Sequence, residues 1–328
     1  MINNMKKIIF YAIALMISTV AFAQSNTSNG SQIGNGNSAT VDQIGNANIS
    51  NLDVIGNSNI IDIDQVGFMN DSDADITNGS GNTGTVNQDG ENQFSMINVT
   101  GDVNGAFVTQ TGNSNTSDIS QSGSFNSATV TQSEDPDDYN VIAWPHDSDI
   151  TQSGDGNAAI VVQEQFEHTS TITQSGGGNN ADVYQGGFWL NNSNVEQSGD
   201  GNEAIVDQGT VPYDAAYNMS DVNQSGTDNR SEVLQIGESH ESNIDQSGEG
   251  ALATVNQDGD SHNSDVTQSS LLYADTTLVN QWGSLQESDV IQSGDGGHSA
   301  TVTQSGSDHY SIVTQSGMGQ GITVTQNN

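Results

Sequence analysis

The 328-residue chain has no cysteine, three prolines and three basic residues. Without cysteine there is no disulfide framework, no thiol nucleophile and no thiolate metal site. Two of the three basic residues, Lys6 and Lys7, lie at the extreme N-terminus, so residues 24–328 set Arg230 alone against 41 acids, a net charge of −40. A surface so acidic repels phosphate backbones and anionic headgroups, which excludes nucleic-acid binding and direct membrane insertion. Apolar residues are also scarce, and the one long apolar run is Ile8–Val20. Gly, Asn, Gln, Ser, Thr and Asp dominate instead, a composition that cannot fill a wide core.

The run Ile8–Val20 follows a basic head and precedes the small-x-small sequence Ala21-Phe22-Ala23. Residues 1–23 therefore read as a secretory signal peptide, leaving 24–328 as the mature chain. Its remaining apolar residues are mostly Val and Ile, whose branching at Cβ suits a pleated strand.

Self-comparison supplies the organising feature. A glutamine recurs in one local setting 23 times, as at Gln43, Gln121, Gln152, Gln163, Gln174, Gln246, Gln304, Gln315 and Gln326, and Val54, Asn78 and Val99 take three further places, giving 26 units. Eighteen of the 25 intervals between units are 11 residues. Two residues before the glutamine, 24 of the 26 units carry Val or Ile, Val41 and Val324 among them; two residues after it, 20 carry Gly. Four residues before it the units alternate, with Ser in 12 of 13 of one class and Ala in 8 of 13 of the other. The true repeat is therefore a strand pair of 22 residues.

Alternate side chains share a face, so Asn (Asn37, Asn157, Asn202), Ser or Ala, Val or Ile, and Gln point inward, while Thr, Asp and Asn meet water. Gly breaks reverse the chain. The expected fold is all-β, a solenoid of about thirteen strand-turn-strand rungs (a count of 26 units taken in pairs) with cross-β-like Asn/Gln ladders in which each amide donates to one neighbouring rung and accepts from the other. Insertions near 133–147, 210–219 and 270–275 hold all three prolines and the apolar Leu271-Leu272-Tyr273, expected to loop out and fold back over the solenoid.

All six histidines, His146, His168, His240, His262, His298 and His309, stand six residues before a repeat glutamine, where Asn is usual. They read as substitutions in a ladder rather than as catalysts, which would need unlike residues converging in a pocket. His146/His168 and His240/His262 should stack, so a metal site or pH response is the sharper alternative. Gly154-Asp155-Gly156-Asn157 and Gly199-Asp200-Gly201-Asn202 read as turns rather than calcium loops. The Thr pairs at 129/131, 301/303 and 323/325 are too discontinuous for an ice-binding face.

The stretch Ser148-Asp149-Ile150-Thr151-Gln152-Ser153-Gly154-Asp155-Gly156-Asn157-Ala158-Ala159-Ile160-Val161-Val162-Gln163, repeated from Ser28 to Gln326, resembles the curlin repeat. That resemblance implies a β-solenoid subunit of curli, the amyloid fibres of bacterial biofilms, and as partners other copies of the chain, a minor curlin nucleator and an outer-membrane secretion channel. It also implies an extracellular, cell-surface location reached through the periplasm, without cofactor or catalysis. The ladder residues named above are the candidate self-assembly residues. A monomeric adhesin on the same scaffold is the competing reading, and it would need capped ends.

Overall fold

The computed structural model describes residues 23–134, 145–187, 190–209 and 217–328. The signal-peptide reading falls on residues outside that set, save Ala23, as does most of the insertions near 133–147 and 210–219. The described residues form 27 strands, alternating along the chain between two wholly parallel sheets of 14 and 13 strands. Odd-numbered strands, from β1 (Ala23–Gln24) and β3 (Ser38–Asn46) to β27 (Gly321–Asn327), make one sheet; even-numbered strands, from β2 (Thr27–Ile33) to β26 (Tyr310–Met318), make the other. Each strand pairs with those two before and two after it, and successive strands face each other across the core.

Register follows the repeat. Strand β10 (Thr116–Ser124) lies on β12 (Asp147–Asp155) with Ser117 against Ser148, Ile119 against Ile150, Gln121 against Gln152 and Gly123 against Gly154. The pairing of these two strands is unshifted although the insertion separates them in sequence. Inward Val and Ile, such as Val130, Ile150, Val161 and Val302, are fully buried. Their narrow file, flanked by buried Asn and Gln, is the whole core.

One repeat assignment is corrected. Register pairs Ile76, not Asn78, with Val54 and Val99. Ile76 takes the glutamine place because its neighbours on both sides are apolar, and the surplus residue is absorbed at Asn78, which adopts φ 55°. Ser72 then joins Ser50 and Ser95, so that Ser occupies this column in every even-numbered strand. A second correction concerns Leu271, Leu272 and Tyr273, which end β22 (Asn263–Tyr273) and stand 79, 67 and 56% exposed rather than folded back. The strand continues through them, Tyr273 pairing with Gly296, and this holds their side chains outward.

Most of the described reversals use two unusual backbone positions. Gly123 has φ 111°, and a Cβ there would lie 2.0 Å from the carbonyl oxygen of Gly154 on the next rung. The turn residue two places later is left-handed but open: Gly156 has φ 73°, while Asn92 and Phe125 hold the same position at 58° and 60°. Gly123→Ala should therefore cost at least roughly 1–3 kcal/mol, whereas Gly156→Asn should be tolerated. Urea unfolding of the two variants checks the contrast.

Candidate assembly surfaces: polar ladders and open end rungs

The glutamines form two unidirectional chains of amide hydrogen bonds. In the odd sheet, Gln43 Nε2 donates to Gln65 Oε1 at 2.7 Å, and the chain runs without a gap through Gln132 to Gln163 (2.9 Å) and Gln281 to Gln304 (3.0 Å), ending with Gln304 to Gln326 (2.8 Å). In the even sheet it starts at Gln121, which donates to Gln152 at 2.8 Å, and passes through Gln174 and Gln246 to Gln315. The second amide hydrogen crosses the core to a backbone carbonyl of the opposite sheet, as from Gln163 to Asp147 (3.0 Å) and Gln174 to Ala158 (2.8 Å). Each glutamine thus ties two rungs and two sheets together.

The even-sheet chain is interrupted where Val54, Ile76 and Val99 replace the amide. Gln121 lies in register on Val99, and its buried Oε1 has no partner among the described residues.

The asparagines work differently from expectation. Asn157 Oδ1 accepts the backbone N–H of Asn179 one rung on (3.1 Å), while its Nδ2 donates to the carbonyls of Ser153 and Gly176 (3.1 Å each). Asn202 and Asn37 repeat the arrangement, Asn202 with Asn229, Ser198 and Gly226, and Asn37 with Asn59, Ile33 and Gly56. The asparagine ladder is chiefly side chain to backbone, because the turn brings peptide groups closer than the next amide. It fastens each turn to the one above.

This geometry accounts for the histidines. His240 Nδ1 accepts the N–H of His262 (3.2 Å) and its Nε2 donates to the Ile236 carbonyl (2.8 Å), two of the three bonds that a ladder Asn makes. His168, His262 and His298 likewise use both ring nitrogens. The pairs His146/His168 and His240/His262 stack with centroids 5.3 and 4.9 Å apart. His146 is bonded through Nδ1 only, its Nε2 having no partner among the described residues, and His309 through Nε2 only; among the described residues no group of three or more acids and histidines is placed to hold a metal. The turn acids are likewise committed: Asp155 and Asp200 accept the N–H groups of Ser124 and Gly177 at 2.8 Å.

The serine column behaves otherwise. From Ser50 to Ser311, twelve consecutive even-strand hydroxyls are buried and have no hydrogen-bond partner among the described residues. An unpaired buried hydroxyl costs about 1–3 kcal/mol.

At the two ends, inward residues lose their cover. Val41 and Ala39 at one end, and Val324 and Ile322 at the other, are only partly buried. Strand β2 is exposed throughout, and Gly30 leaves room for the Leu52 side chain of the next rung, which a Cβ would meet at 3.0 Å. No donor among the described residues reaches Gln43 Oε1, whereas Gln326 Nε2 spends one hydrogen on Tyr310 (3.0 Å) and keeps the other. One end accepts and the other donates.

The outer faces carry the charge. Burial raises the Asp118 and Asp149 carboxyls above the usual range, and a neighbouring carboxylate, Asp149 and Asp147 respectively, adds to it. Burial and then Asp182 push Asp207 up to about 6.

Two predictions follow from these contacts. Gln174→Ala strands the Gln152 donor and the Gln197 acceptor; it should cost roughly 2–4 kcal/mol in urea unfolding. For the histidines, burial lowers His240 to about 4 and His146 to about 3. A depressed folded-state value means their contribution is intact above the unfolded value near 6.5 and is lost as pH falls toward 3–4, since the unfolded chain takes up protons first. The double variant His240→Asn, His262→Asn should lose less stability than the parent between pH 6.5 and 4, read from urea midpoints.

Residues 299–327 match the family model of the curlin associated repeat. No curated protein matches the chain. The matched segment contains β25 (Ser299–Ser307), β26 and β27, and β25 and β26 lie in register on the strands beneath them, column for column. The chain thus carries a curlin associated repeat at residues 299–327, and the strands beneath that segment follow the same column pattern.

Proposed function

We propose that the mature chain is the structural subunit of an extracellular, curli-like amyloid fibre that grows end to end and supports a biofilm matrix and cell adhesion. The observation that carries this reading is the polarity of the glutamine chains. Every bond donates toward the C-terminal rung, so the open donor at Gln326 meets its complement only at the acceptor end of another copy, Gln43. Such a heterologous contact does not close, and it generates filaments. Stacking would also cover Val41, Ala39, Ile322 and Val324. Strand-edge pairing between copies completes both backbone ladders.

Other copies of the chain are the main partner in this reading; a minor curlin nucleator and an outer-membrane channel reached from the periplasm are the further partners that the family suggests. The outward carboxylates set the rate. Aspartates aligned on adjacent rungs, Asp118 and Asp149 among them, repel one another within a subunit, and the acidic outer faces repel incoming copies. Asp118 and Asp149 are raised above the usual carboxylate range, and Asp207 protonates as pH falls through about 6, so acid relieves the repulsion and favours the stacked form.

Removal of Ile322–Asn328 should abolish seeded elongation followed by thioflavin fluorescence, while added salt should speed the intact chain. Unchanged elongation of the truncated chain, or a parent that stays monomeric under all conditions, would contradict the proposal and favour the adhesin reading.

A further inference from the structure

One histidine of the turn columns has no rung above it. His146, His168, His240, His262 and His298 each accept at Nδ1 the backbone N–H of the residue one rung on in the same column, at 3.2 or 3.3 Å. His309 stands in that position before β26, the last even strand, and its Nε2 lies 2.9 Å from the Ser305 carbonyl. A carbonyl only accepts, so Nε2 carries the proton and the lone pair of the neutral ring is on Nδ1. No donor among the described residues reaches it. The opposite end of the solenoid offers the matching donor. Asn26 holds the same column position before β2, and its Oδ1 accepts the N–H of Asn48 (3.0 Å) as the interior asparagines do for their neighbours. Its own N–H has no acceptor among the described residues. Ser25, at φ 65°, gives this first turn the left-handed residue found in the interior turns.

We propose that His309 is a docking residue between copies, its Nδ1 accepting the Asn26 N–H of the next copy, and that only the neutral ring can dock. The inference rests on the end-to-end reading above and names the contact that makes it sensitive to pH. The register is the one in which Gln326 meets Gln43, because β26 then meets β2 as β27 meets β3. Asn328 falls on Gly45, the place of Ala23, which leaves with the signal peptide. Gln320, at the head of β27, does not duplicate the contact: Gln93 and Gln286 hold the same turn position and keep Oε1 unpaired among the described residues. The ionisable groups around His309 are Asp308 beside it, Glu287 beneath it, whose N–H bonds the His309 carbonyl (2.9 Å), and the terminal carboxylate of Asn328, which lies over Ser305 and Ser307. The incoming turn, Ser25-Asn26-Thr27, brings no ionisable side chain, only the α-amino group freed at Gln24. A second proton on the ring sets N–H against N–H, so acid opposes docking.

Acid thus acts on growth in two opposite senses, relieving the outer carboxylates and disabling this acceptor. Variants separate the two, because the carboxylates are common to every chain compared. Seeded elongation of the mature parent, His309→Asn, His309→Ala and His262→Asn is followed by thioflavin fluorescence at about pH 7.5 and about pH 5, either side of the range in which an imidazole takes up its second proton. His309→Asn should keep roughly tenfold more of its own higher-pH rate at the lower pH than the parent keeps, the equivalent of one buried hydrogen bond. His309→Ala, with no acceptor, should be about tenfold slower than the parent at the higher pH. His262→Asn changes an interior histidine of the same column and should show the parent's pH ratio. Equal ratios for the parent and His309→Asn, the same gain in His262→Asn, or a His309→Ala chain as fast as the parent at the higher pH would overturn the assignment and leave the fibre reading standing. A parent that elongates at neither pH would overturn both.

Discussion

The structure depends on the amide hydrogen bond that runs from one rung to the next. A core one Val or Ile wide buries too little apolar surface to hold two long sheets together unaided. Glutamine supplies what is missing, because its amide is both donor and acceptor and its second hydrogen reaches across to the opposite backbone. Burying an amide is unfavourable unless it is paired, and a parallel, in-register stack pairs every one at once. The same condition enforces the register: a slip of one residue would turn the whole ladder out to water.

The remaining features serve that stack. Glycine is required where the backbone of one turn lies against the carbonyl of the next, as at Gly123. Asparagine, or a histidine that makes two of its three bonds, fastens the turns. Most acidic residues lie on the outer faces, where they oppose association between copies; the exception is Asp275, buried in the asparagine column, where it accepts the backbone N–H of His298 and the Ser270 hydroxyl. The apolar stretch at Val54, Ile76 and Val99 is the one place where the even sheet does without the amide, and the large Ile61 and Ile63 side chains lie in the same part of the core.

Much of this was readable from residue order. The alternation of Ser and Ala four residues before glutamine identified the two-strand rung, and the period fixed which residues face inward. Three things were not readable. Asn78 looked like a ladder member because Ile76 matched the usual Val or Ile two places earlier; only register shows that Ile76 itself fills the glutamine place beside Val54 and Val99. The asparagines were placed on the right face, but spacing along a chain does not reveal that a turn peptide lies nearer than the next side chain. Leu271 and Leu272 looked like material for a second layer, yet continuation of the strand keeps them in solvent.

The central claim is that identical rungs are held in parallel register by these ladders and that the ladders continue from copy to copy. X-ray diffraction from aligned assemblies of the purified mature protein, with electron microscopy of the same sample, tests it most directly. The account predicts unbranched filaments with a meridional reflection at about 4.7–4.8 Å and an equatorial one near 10 Å. Filaments without the meridional spacing, or only separate particles about thirteen rungs long, a count of 26 repeat units taken in pairs, would contradict it.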